Sequence, residues 1–155
     1  MTGSTRGFTL IELLVTLVVL SILVRIAIPQ IENSKRSGRA AQVVGALSTL
    51  RTTAYAYQAS TSQWPANTAV GRAPRALVAQ LPTGFGFQTP EYRLQWTVTR
   101  VRSRTGVRDV PLVRAYFTDL LLCGRVAGLL GGARNRDVVA VCRGGNAYVS
   151  WSFDR

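Results

Sequence analysis

The side chains that carry most enzymatic chemistry are nearly missing from this chain. Histidine is absent from its 155 residues, which removes imidazole metal ligands and imidazole acid–base catalysis. Serines are many, but no histidine exists to activate one. From Thr61 onward the acids are Glu91, Asp109, Asp119, Asp137 and Asp154. They are scattered between expected strands, with no paired-carboxylate motif and no cluster of oxygen ligands for calcium. Gly84-Phe85-Gly86 and Gly131-Gly132 read as turns and fit no phosphate loop. The expectation is a protein that is not an enzyme and takes no cofactor or metal. Three features remain: an isolated carboxylate, Glu12, in an apolar run; two cysteines, Cys123 and Cys142; and an arginine series, Arg100, Arg102, Arg104 and Arg108.

The apolar run positions Glu12. Between Phe8 and Ile28 only Glu12 and Arg25 are charged. A helix over that stretch would be roughly 31 Å long, the thickness of a hydrocarbon core. A carboxylate there costs on the order of 2.5–3.5 kcal/mol on insertion scales unless it finds a partner. Glu12 either complements the dipole of the first helical turn or meets a positive charge supplied by cleavage or by another chain. A secretory signal peptide would place a small-residue cleavage site after the run. Here the chain continues as Ile28-Pro29-Gln30-Ile31-Glu32, and the charge and small residue, Arg6-Gly7, come before the run.

Gly7-Phe8-Thr9-Leu10-Ile11-Glu12 followed by an apolar run resembles the N-terminus of type IV pilins and pseudopilins. The resemblance is dense from Arg6 to about Ile31 and architectural beyond. It implies cleavage between Gly7 and Phe8 by a prepilin peptidase and N-methylation of Phe8. It makes Glu12 the fifth mature residue, the family's invariant glutamate. Pro29 then falls where many pilins carry a helix-kinking proline. Arg25 inside the run departs from the pattern, and would place the membrane boundary near it with its side chain snorkelling. The implied partners are other pilin subunits and an inner-membrane assembly platform, in a type IV pilus or a type II secretion system. The implied location is the bacterial inner membrane, single-pass with a periplasmic head, and a filament after assembly. A membrane-anchored protein that never polymerises is the alternative.

The rest of the chain is expected to supply an α+β head: a long N-terminal helix packed on a small antiparallel sheet. The expected segments are a leader (1–7), a membrane or filament-core half-helix (8–30), an amphipathic half-helix (31–60) and a head (61–155). Val43, Leu47, Leu50, Ala54 and Tyr57 recur at steps of three and four, one apolar stripe. Ser60 to Asn67 breaks the helix, with Trp64 biased to extended conformation by Pro65. Pro74–Leu81 predicts a short helix. Glu91–Arg104 predicts a strand by alternation, and Val110–Phe117 its returning partner, with Pro111 suited to an edge or entry position. Thr118-Asp119 offers a cap for a helix that would stop at Gly131-Gly132. Asp137–Cys142 and Ala147–Phe153 predict a second hairpin.

Charge and cysteines complete the picture. The formal net charge is +12. From Thr61 onward thirteen arginines face five acids, a balance of +8. Arg100, Arg102 and Arg104 share strand parity with Leu94, Trp96 and Val98, so the hairpin either protrudes beyond the core or contains a bulge. The cluster is a solvated hairpin tip or a nonspecific, salt-sensitive DNA contact of the kind some minor pilins make. A cytoplasmic leader delivers the head across the membrane, where disulfides persist. Cys123 and Cys142 would then form a bond, the alternative being two buried thiols.

Overall fold

The computed structural model describes residues 7–103 and 106–153. Its elements are α1 (Leu10–Thr61), a 3-10 turn (Arg75–Leu77), β1 (Tyr92–Ser103), β2 (Gly106–Phe117), α2 (Leu120–Leu129), a second 3-10 turn (Gly132–Arg134), β3 (Val138–Val141) and β4 (Ala147–Ser152). The chain forms two compact units, one ending at Arg36 and the other starting at Ser37. In the first, α1 is apolar all round, exposed in this single copy, and long enough to cross a membrane. Helical structure runs on through Pro29. Proline has no N–H, so the carbonyl of Arg25, four residues back, has no donor within the helix.

The second unit is the head. Ala40, Val43, Leu47, Leu50 and Ala54 form the buried stripe of α1. Fully burying each Val or Leu stabilises by about 1.5–3 kcal/mol before entropy is subtracted. The stripe packs in one core with Leu94, Trp96, Val113, Ala115, Val149 and Phe153 from the sheet, and with Leu122 and Val126 from α2. The helix ends where Ser62 takes a left-handed φ of 57° and donates its N–H to the Gln58 carbonyl.

The sheet order is β1-β2-β4-β3, antiparallel throughout. Alternation works as expected in β4: Ala147 and Val149 are buried, and Tyr148, Ser150 and Ser152 lie on the opposite face. Three expectations are corrected. The region Pro74–Leu81 forms only the 3-10 turn Arg75–Leu77, since Pro82 disfavours helical geometry at Leu81. The strand β2 starts at Gly106 rather than Val110. Pro111 lies inside β2. It is tolerated because β2 pairs with β4 only from Leu112 onward. The flanking backbone of β1 at Leu94, Trp96 and Val98 bonds away from β2, so the Val98–Pro111 pair exchanges no backbone bonds. The Pro111 carbonyl instead accepts from the Phe153 N–H at 2.9 Å.

The β1 edge is covered over half its length. Gly71 N–H donates to the Leu94 carbonyl and Thr68 N–H to the Trp96 carbonyl. Asn67 then acts as a backbone mimic, its Oδ1 accepting from Val98 N–H at 2.6 Å. The indole of the buried Trp96 donates to the Pro65 carbonyl at 3.0 Å. This explains locally why Trp64-Pro65-Ala66-Asn67 follows the helix: it returns the chain along the sheet edge.

Candidate functional sites

The first site is the start of α1. Leu10 is the first helical residue, so Thr9 is the N-cap and Glu12 stands at the third helical position. Glu12 Oε2 accepts from the Thr9 backbone N–H at 3.0 Å and from its hydroxyl at 2.9 Å. The Glu12 N–H donates back to Thr9 Oγ1 at 3.3 Å. This is a capping box, two orphan donors satisfied reciprocally. Its signal, Thr9-x-x-Glu12, stood in the sequence and was missed. In the single copy, Glu12 therefore has a local partner. Gly7 and Phe8 precede the helix in irregular backbone, and Phe8 is exposed. A Cβ built on Gly7 meets nothing within 4 Å. The chain's own fold thus does not demand glycine there.

The second site is the hairpin of β1 and β2. Its register runs without a bulge from Tyr92 opposite Phe117 to Ser103 opposite Gly106. The hairpin therefore continues past the end of β4, as a two-stranded extension. Arg100 lies opposite Asp109, and Arg102 opposite Val107, on the core-side face. Arg108 lies opposite Val101 on the other face. The structure thus separates Arg108 from Arg100 and Arg102, and Arg104 falls outside the described residues. Arg100 Nε pairs with Asp109 Oδ1 at 3.2 Å, both side chains largely exposed. Such a surface pair is worth about 0–1 kcal/mol, but it offsets one of the hairpin's positive charges. The pair lines an open cleft of about 490 Å³ with residues 62–67 and Val98.

The third feature is the disulfide. Cys123 and Cys142 are bonded, with Cα atoms 5.7 Å apart. The bond ties α2 to the turn between β3 and β4. Asp119 caps α2 as expected, accepting from Leu121 N–H at 2.8 Å and Leu122 N–H at 3.3 Å. Among the described residues no three His, Cys, Asp or Glu gather as a metal site. Pairing also holds the α1–sheet junction. Arg51 stacks its guanidinium over Trp151 at 4.9 Å and Phe153 at 5.4 Å. Sequence reasoning missed this contact because Arg51 sits on the polar side of the helix.

Residues 3–27 match the family model described as the prokaryotic N-terminal methylation motif. No curated protein and no solved structure matches the chain. The motif, an N-terminal helix long and apolar enough to cross a membrane, and a four-stranded antiparallel sheet together match the pilin fold. The matched N-terminal segment supports a type IV pilin-like protein. Its motif implies processing by prepilin peptidase and assembly with other pilin subunits, and its apolar helix fits membrane anchoring.

Proposed function

We infer that this protein is a structural subunit of a type IV pilus or a type II secretion pseudopilus. The leader 1–7 is removed between Gly7 and Phe8, and Phe8 is methylated. Segment 8–30 is held in the inner membrane and then enters the filament core. Segment 31–60 is the amphipathic half of the helix, and 61–155 is a periplasmic head. An inner-membrane platform drives the transfer. The reading rests on one observation above all: an apolar helix, exposed on every side, that carries a single acid at its start. In a bundle of such helices an uncompensated carboxylate is strongly unfavourable, so pairing with the Phe8 amine of a neighbour selects axial register. Pro29 gives the helix a local loosening point during that transfer.

Glu12→Ala tests the reading. Filaments sheared from cells should lose the variant while its head keeps the wild-type melting temperature. Normal incorporation of Glu12→Ala would defeat the pairing role. Deleting the gene and scoring pilus assembly against secretion of exoproteins separates the two machines.

The head's charge balance favours a second reading, nonspecific DNA contact through Arg100, Arg102, Arg104 and Arg108. A gel shift of the full chain in detergent across a salt series tests it. Binding at low salt that weakens when Arg102 becomes alanine supports the reading, and no binding at low salt removes it.

A further inference from the structure

The sheet has a second face, turned away from the helical stripe, and its register lines up an unusual row. Arg93 lies opposite Tyr116, and Tyr116 opposite Tyr148, with Val141 next. One row along, Gln95 lies opposite Arg114. These side chains are half-buried or exposed, on the face opposite to the core residues Leu94, Trp96, Val113 and Val149.

The two rings are held in place. Their centroids are 6.1 Å apart. The Arg114 guanidinium sits 4.9 Å from the Tyr148 centroid and 6.0 Å from that of Tyr116. Arg114 Nη1 donates to the Tyr116 hydroxyl at 3.2 Å, and that hydroxyl donates to Gln95 Oε1 at 2.9 Å. The Tyr116 hydroxyl is thereby used up, which leaves its ring, rather than its polar tip, as the feature offered to a partner. Neither row contains a carboxylate. Two of the head's acids are already engaged elsewhere, Glu91 with Arg39 and Asp109 with Arg100.

The chemistry selects the occupant. Two cations without acids call for a polyanion. A second copy of this head is a poor match, because it carries thirteen arginines against five acids from Thr61 onward. Two aromatic rings call for flat partners, and an antiparallel sheet face is a stacking platform. The step between the rings is comparable with that between successive nucleotides of an extended strand. Bases in a duplex are already stacked on one another and cannot reach rings on a flat face.

We propose that this outer sheet face binds single-stranded nucleic acid, with bases stacked on Tyr116 and Tyr148 and phosphates on Arg93 and Arg114. The site is on the face opposite Arg100 and Arg102; of the described hairpin arginines only Arg108 shares its face, three residue pairs further along the sheet from Arg114. The test uses the full chain in detergent and a fluorescein-labelled oligothymidylate, read by anisotropy. Tyr148→Ala should weaken binding roughly tenfold, while Tyr148→Phe, which keeps the ring, should bind like wild type. Arg93→Ala should weaken binding and reduce the salt slope by about one. Arg102→Ala, on the opposite face, should weaken oligothymidylate binding less than Arg93→Ala does. Arg93 is exposed, and its variant carries the test even if Tyr148→Ala unfolds, which the tryptophan melt would report. Equal affinity for a duplex of the same length, or tyrosine variants that bind like wild type, would overturn the proposal in favour of charge alone. Tighter binding of heparin, lost in Tyr148→Ala, would overturn it in favour of an acidic polysaccharide.

Discussion

Replacing both Cys123 and Cys142 by alanine removes the covalent tie between α2 and the β3–β4 turn. The bond closes a loop of sequence separation 19. In the chain-entropy account, a loop of that size destabilises the unfolded state by about 3 kcal/mol. Cys123 is fully buried, so truncation there adds a small packing loss. For a head of this size the expected fall in melting temperature is roughly 10–20 °C. Trp64, Trp96 and Trp151 all lie in the head, and the apolar half of α1 has none. Tryptophan emission of the full chain in detergent therefore follows head unfolding without interference from the apolar half of α1. The variant should melt well below the oxidised wild type, and wild type under reductant should approach the variant. If all three melt within a few degrees of one another, α2 is held by its apolar face alone. The loop-entropy argument would then fail for this head.

Three further outcomes follow from the head. Ser62→Gly relieves a left-handed residue at the end of α1 and should stabilise by about 1 kcal/mol, read as a rise in melting temperature; a fall would mean that the serine side chain matters more than its φ. Asn67→Ala leaves the Val98 N–H without its 2.6 Å acceptor, so amide exchange at Val98 should accelerate while Leu94, bonded to the Phe87 carbonyl, stays protected. Burial, and then the nearby Glu91 charge, raise the Tyr92 phenol above its ordinary 10.0. The folded head therefore holds that proton more tightly than the unfolded chain does. Its contribution is intact below pH 10 and is lost as pH climbs through the raised value. Tyr92→Phe should flatten the alkaline limb of a stability–pH curve, and an unchanged limb would contradict the assignment.

The parts of the fold written in local chemistry were legible in the sequence. The stripe from Val43 to Ala54, the alternation of Leu94 and Trp96, and the Asp119 cap each obey a short-range rule, and each appears in the structure. The early part of β2 was not legible, because Val107, Arg108 and Asp109 show no buried face of their own. They are extended because β1 is already there to pair with them. Strand order was also hidden, since it depends on contacts far apart in sequence. That order decides the sites. It brings Tyr116 beside Tyr148, 32 residues further along the chain, whereas the register of the β1–β2 hairpin puts Arg108 behind Arg100 and Arg102. At the N-terminus the dense motif was readable from Arg6 onward, and the Thr9–Glu12 capping box was readable but overlooked.

The central claim is that this chain is a processed, polymerising subunit, and the mature N-terminus tests it most directly. Intact mass and N-terminal peptide sequencing should be run on protein recovered from membranes of a host with prepilin peptidase. The account predicts a chain of residues 8–155, carrying one added methyl on the Phe8 nitrogen. Gly7→Glu should accumulate at the mass of the full 155 residues. Wild-type protein that keeps Met1–Gly7, or that begins beyond the apolar run, would contradict the account.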